Sequence, residues 1–449
     1  MDGAAVLAWS RVRPYGGRVA SGLMGKVQTF VGLAGVIALG VSASLITGVN
    51  PLTYADDAFD KIWSKVRGKL ATPAPQWSER VDGPPVAAAV TSDRVVVVLN
   101  GTVESRRLSD GGQAWTRTVD WAVPDGDVVV SGRSNGTGFE VLDAGTGTVR
   151  WRDTKAEDAW PYQDMILSVE CARDSCSMRA RSTADGSTRW RSGLDAAVQR
   201  LAGRPDLDEA VDRDGLLSPD YPGPAPRLVG AVTDRQVTVI DTRSGAHLGQ
   251  LPEDADTRVT ATGDRVLGVV ARPAKDGGCR YTMRAWNSSG GEVWRRTGYD
   301  FGTVSGSGCE QRTDPVSGGG VVAATGPDDR PALFGVRSGE VRWTGSAGST
   351  VLAVGGQVAM VRAARTGRLV AVATDNGAEL WSRTASRNAT VVVTGDAVAI
   401  ADPDEATITA LSPGNGGVLR RWKSFASVIG ADDSGLVLGS GRTVGYATW

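Results

Sequence analysis

One spacing dominates this chain: a glycine, three residues, then a tryptophan. It occurs at Gly111 and Trp115, Gly147 and Trp151, Gly186 and Trp190, Gly290 and Trp294, Gly339 and Trp343, and Gly377 and Trp381. Six of the 14 tryptophans therefore sit at one fixed distance from a glycine. Two degenerate copies complete the series, Gly245 with Gly249 in the tryptophan place and Gly417 with Trp422 one residue further on. The positions 77, 115, 151, 190, 249, 294, 343, 381 and 422 recur at intervals of 36–59 residues, most of them near 40, which suits a four-stranded unit.

Each unit also reads as strands. β-branched runs such as Arg94–Leu99 lead through Asn100-Gly101 into a second run, and 396–400 and 407–411 behave alike. Such runs favour strands, and Asn-Gly between them signals a hairpin. The glycine suits a turn with positive φ, while the tryptophan that opens the following strand offers a large face to wedge between neighbouring units. Trp115, Trp151, Trp190, Trp294, Trp343, Trp381 and Trp422 are read as packing residues on that ground, not as a cofactor platform. Trp77–Val81 reads as a strand lacking its hairpin, and 436–446 as a hairpin lacking its following strand. Joining the two closes a ring and removes both sheet edges.

The segment Leu142-Asp143-Ala144-Gly145-Thr146-Gly147-Thr148-Val149-Arg150-Trp151 resembles the pyrroloquinoline-quinone (PQQ) repeat. Proteins with that repeat include quinoprotein alcohol dehydrogenases and the propeller subunit of the outer-membrane barrel-assembly machine. The resemblance spans 77–449 and implies an all-β PQQ-type β-propeller of eight four-stranded blades. Nine hairpins are countable when the terminal one is included, so the eight-blade expectation requires one of them not to be a blade.

Ahead of the repeats, residues 27–55 contain no Asp, Glu, Lys or Arg. A run of about 20 apolar residues spans the hydrocarbon core of a bilayer. Arg11, Arg13, Arg18 and Lys26 precede it and Asp56, Asp57 and Asp60 follow, which places the N-terminus in the cytoplasm. The expected layout is a cytoplasmic tail (1–26), one transmembrane helix (27–49), a stalk helix and linker (50–76) and an extracytoplasmic propeller (77–449), held at the cell membrane. A signal peptide cleaved after Val41-Ser42-Ala43 is the competing reading, and Met24 is an alternative start. Phe59, Ile62, Trp63 and Val66 share one face of the stalk.

Outside the cytoplasm, four cysteines form bridges. Cys171 and Cys176 flank a short turn between strand-like runs, and Cys279 and Cys309 lie in glycine-rich loops of successive units; the expected pairs are 171–176 and 279–309. Between 195 and 227 the period is interrupted, and Asp206, Asp208, Asp212, Asp214 and Gly215 lack the regular spacing and closing Glu of a calcium loop. Those residues are read as a solvated rim loop.

No metal, cofactor or catalytic residue is assigned from the sequence. The chain lacks a Gly-x-Ser-x-Gly elbow, a His-Glu-x-x-His pair and a phosphate loop. Its single histidine, His247, sits in a degraded repeat and is read as exposed. The 49 basic and 50 acidic residues are interspersed without a basic block, which argues against nucleic acid as partner. The expected role is a non-enzymatic binding or scaffold module with a protein or cell-envelope ligand on one face and the bilayer as its second partner. The alternatives are a PQQ-dependent dehydrogenase and an envelope-assembly factor. For the dehydrogenase, the adjacent cysteines and long loops that the resemblance would imply are missing.

Overall fold

A computed structural model describes residues 70–132, 137–172, 175–202, 225–233, 236–252, 257–275, 278–301, 309 and 315–449. The expected transmembrane helix (27–49), most of the stalk and the acidic loop at 206–215 lie outside the described residues. Among those described, no helix is long and apolar enough to cross a membrane.

The described strands form nine four-stranded antiparallel sheets, not eight. Blades 1 to 8 are continuous meanders over 85–118, 121–153, 158–194, 200–252, 257–297, 317–344, 350–383 and 390–423. Blade 9 joins the two ends of the ring: Ser427–Ala431, Gly435–Ser440 and Thr443–Thr448 run outward, and Trp77–Arg80 pairs with the last as the outer strand. The pairing Trp77↔Tyr446 through Arg80↔Thr443 is the closure expected of the two unmatched ends. Every hairpin in the sequence thus builds a blade. In blade 4 the connection between Arg200–Ala202 and Leu228–Val232 is long, which stretches the repeat without removing a sheet.

The strands read as nearly unbroken hydrophobic runs because both faces of each blade are covered. In Arg94–Leu99, Val95 and Val97 point into a core shared with blade 9, whereas Val96 joins a core shared with blade 2. Nine such cores occur, one in each gap, including the gap between blades 9 and 1. All the sheets, all nine cores and both disulfides lie within 70–449, so this part of the chain closes its own fold.

In blades 1 to 8, a β-bulge falls between the third and fourth strands, opposite residue pairs such as Ser105/Arg106 and Val141/Leu142. The residue that follows the bulge is the repeat tryptophan, re-aimed toward the next blade. Blade 4 has Gly249 there. In blade 8 the place belongs to Arg420, four residues after Gly416, whose φ is +66°. The equivalent glycine is therefore Gly416 rather than Gly417, and Trp422 lies two residues beyond the repeat position.

Candidate functional site

The repeat residues are occupied in building the ring. The indole Nε1 of Trp115 donates to the Ala144 carbonyl at 2.9 Å, that of Trp151 to Thr183 at 3.1 Å and that of Trp190 to Thr242 at 2.8 Å. Trp77, Trp294 and Trp381 donate likewise to Leu108, Val336 and Pro413. In every case the acceptor lies three residues before the turn glycine of the next blade. Blade 6 differs: the Arg342 guanidinium reaches the equivalent Thr374 carbonyl, and Trp343 packs in the core between blades 6 and 7. Trp422, only 1% exposed, fills the core between blades 8 and 9 beside Ala71.

Charges near the turns are similarly engaged. Arg150 ion-pairs with Asp143 at 2.7 Å and Asp127 at 2.8 Å. The Arg150 hydrogen bond, helped by the backbone N–H of Thr146, holds the Asp143 carboxyl below its usual range. Arg106 and Glu104 form a buried pair at 2.6 Å, and Arg106 also donates to the carbonyls of Gly111 and Arg80. These groups stitch turns together. His247 is the exposed first residue of the strand His247–Pro252.

An open cleft of 690 Å³ lies between blades 5 and 6. One wall is the start of Cys279–Trp286, presenting Arg280, Tyr281 and Thr282; Thr297 and Gly298 follow from the outer strand. The opposite wall is Thr325 and the turn Pro327–Asp329. Asp300 joins the walls by a backbone bridge, with N–H to carbonyl distances of 2.8 and 2.7 Å to and from Thr325. Behind it, Tyr299 meets the edge of Phe334 with ring centroids 4.7 Å apart. The cleft thus offers one guanidinium, the carboxylate of Asp329, a phenol and threonine hydroxyls, with Asp300 buried at its back. Such a set hydrogen-bonds polar peptide groups and side chains; it brings together no nucleophile with a histidine base. Among the described residues, no cluster of three or more His, Cys, Asp or Glu is placed to hold a metal ion.

The disulfides bear on this region unequally. Cys171–Cys176 joins directly paired residues across the blade 3 hairpin. Cys279–Cys309 fastens the cleft wall to the connection leading to blade 6, across 30 residues. On loop-closure grounds the Cys279→Ser/Cys309→Ser variant loses about 3–4 kcal/mol, and Cys171→Ser/Cys176→Ser about 2 kcal/mol. Denaturant unfolding of the two variants should show this order; equal losses would mean that chain entropy does not set it.

None of Arg280, Thr297, Asp300, Thr325 or Asp329 stands out in the sequence. The available signal was the 49-residue interval from Trp294 to Trp343, long enough to hold an added connection between two blades.

Nine repeat-built blades and their stacked tryptophans define a β-propeller of the PQQ-repeat type. The family model described as outer membrane protein assembly factor BamB matches residues 100–287 and 282–428, most of the ring, and the chain belongs to that family. Among solved structures, BamB from Moraxella catarrhalis is 17% identical, with 83% of this chain and 96% of that chain covered and a TM-score of 0.41. A europium-containing methanol dehydrogenase is 12% identical, over 82% and 85% of the two chains, with a TM-score of 0.39. Sqt1 of Saccharomyces cerevisiae is 9% identical, over 84% and 98%, with a TM-score of 0.40. A comparison with curated proteins finds no match.

Proposed function

We propose that this chain is a membrane-anchored, extracytoplasmic scaffold whose propeller binds protein segments and performs no chemistry. A role in envelope assembly, as the family's description suggests, is the specific form of that reading. The observation that carries it is the cleft between blades 5 and 6: an open, peptide-sized site, largely apolar with polar groups set into it, pinned by a disulfide to a ring whose repeat residues are consumed by packing. The apolar segment at 27–49 would hold the ring at the outer surface of the cell membrane.

Two measurements test this reading together. A photo-crosslinking residue at Arg280 or Asp329, in intact cells, is expected to trap a discrete envelope protein, while the same residue at Arg189, on blade 3, is not. Calorimetric titration of the folded 70–449 fragment with pyrroloquinoline quinone and calcium is expected to give no heat. Calcium-dependent quinone binding, or the same adducts from all three positions, overturns the proposal.

A further inference from the structure

We propose that the outer rim of blades 7 and 8 docks on an anionic bilayer surface, through Arg383, Arg420, Arg421 and Lys423 with the exposed apolar residues around them. The inference rests on the anchored reading above for the nearness of a membrane, and on the geometry of the rim for everything else.

The first observation is how charge is distributed around the ring. In blades 1 to 3 most rim arginines are neutralised: on the outer strands Arg117 and Arg152 by Glu140 and Arg189 by Asp164, and on the third strands Arg107 by Asp110 and Arg181 by Asp153, with Arg191 the exception. Blade 5 pairs Arg295 with Glu292 at 2.8 Å. Among the described residues, Arg337 is the last cation in the chain to form an ion pair. Residues 338–449 contain acids as well, but Asp375, Asp396, Asp402, Asp404, Asp432 and Asp433 sit in or beside hairpin turns. The blade 8 outer strand carries Arg420, Arg421 and Lys423 and no acid, whereas the blade 7 outer strand carries Glu379 as well as Arg383. Arg383 lies on the same side of its strand as Trp381, whose indole reaches into blade 8, so it faces Arg421 across the gap. Burial and the neighbouring Arg421 charge both push the Arg383 guanidinium below its ordinary pKa, as expected of a cation without a counter-ion.

The second observation is apolar exposure in the same place. Val418 is 53% exposed, Leu419 43% and Leu380 37%. The blade 8 outer strand reads Val-Leu-Arg-Arg-Trp-Lys, and all but Trp422 face solvent. Aliphatic groups beside Arg and Lys that form no ion pair make the composition of an interfacial surface: the cations meet lipid phosphates while the apolar groups enter the headgroup boundary.

The third observation selects a membrane over a soluble acidic partner. The chain reaches the propeller at this very strand. Thr72 pairs antiparallel with Lys423, with hydrogen bonds of 2.9 and 2.7 Å, and the Ser424 hydroxyl donates to the Leu70 carbonyl at 2.6 Å. Residues 50–69 are all that separates this point from the apolar segment, a reach of at most about 70 Å at full extension. With 27–49 in a bilayer, as proposed above, contacts between the propeller and that bilayer are intramolecular, and weak surface contacts gain from such tethering.

The test uses the self-closed 70–449 fragment, so that the rim is read without the anchor. Sedimentation with vesicles is expected to show binding to phosphatidylcholine mixed with phosphatidylglycerol, no binding to phosphatidylcholine alone, and weakening with added salt. Arg420→Glu/Arg421→Glu/Lys423→Glu should lower that binding on the order of 100-fold, since each cation near an anionic surface contributes about a factor of five to ten. Arg189→Glu, on blade 3 across the ring, should leave it unchanged. All four sites are exposed, and an unaltered melting curve certifies the fold of each variant. Binding that ignores lipid charge, or a triple variant that binds like the parent, overturns the proposal, as does salt-sensitive capture of a soluble acidic protein with no vesicle binding. Alkaline extraction of the full chain from membranes reads the anchor separately, so the failure of one idea is distinguishable from the failure of the other.

Discussion

Trp77→Ala should cost the propeller about 3–5 kcal/mol, the loss typical of emptying a buried tryptophan site. The reason is positional. Trp77–Arg80 is only four residues long, and Trp77 is its single buried side chain, at 6% exposed. Its indole donates to the Leu108 carbonyl at 2.8 Å, and its ring lies against Gly111 so closely that an added Cβ would sit 2.5 Å away. Blades 1 to 8 hold their outer strands by chain continuity. Blade 9 holds its outer strand by side-chain packing, four backbone partners and the Arg106 bond to the Arg80 carbonyl. Losing the ring's latch bares the edge of Thr443–Thr448 and opens the gap between blades 9 and 1. Denaturant unfolding should give the loss, and limited proteolysis should begin within 70–82. Trp115→Ala, which empties a half-buried site inside a continuous blade, should cost less. Trp77→Phe keeps most of the packing and should lose about 1 kcal/mol with the hydrogen bond. An alanine variant as stable as the parent would show that the seam closes without its tryptophan.

Much of this architecture is legible in the sequence because the repeat encodes a backbone event. Gly-x-x-x-Trp places a positive-φ turn four residues before a bulged strand, and both are set locally. Blade number is less legible. All nine hairpins can be counted, yet the resemblance to eight-bladed relatives argues one of them away without saying which. Spacing also reports register rather than side-chain placement. Trp343 keeps the spacing while Arg342 makes the contact to the next blade, and the pair Gly416-Gly417 hides the fact that Arg420 holds the tryptophan place. The cleft was out of reach for a different reason. Residues 280–282, 297–300 and 325–329 are ordinary in isolation and meet only because blade 6 follows blade 5. The basic rim is visible as Arg420-Arg421, but that Arg383 of blade 7 comes to lie beside Arg421 is not.

Gly186→Ala and Gly101→Ala separate the two demands placed on the turn glycines. Gly186 has φ +70° and Gly101 φ +80°, so an alanine at either pays the left-handed penalty of about 1–2 kcal/mol. Their surroundings differ. A Cβ on Gly101 meets nothing within 4 Å, whereas one on Gly186 falls 2.6 Å from the Trp151 ring. That ring has little freedom to withdraw: its Nε1 is bonded to Thr183, Phe139 meets it edge-on with centroids 5.4 Å apart, and it packs against the core between blades 2 and 3. Overpacking of this kind adds about 1–3 kcal/mol. Gly186→Ala should therefore be more destabilising than Gly101→Ala by that margin, with a change in the near-ultraviolet dichroism of the tryptophans that Gly101→Ala lacks. Shrinking the ring by Trp151→Leu should reduce the Gly186→Ala penalty toward that of Gly101→Ala, a coupling that a double-mutant cycle reads directly. If the two alanines cost the same, these glycines serve only the backbone turn, and the tryptophan face against them is replaceable. If the margin appears and the leucine removes it, the blade-to-blade spacing is set by an indole lying flat on a residue that must lack a side chain, which is why the two residue types recur together.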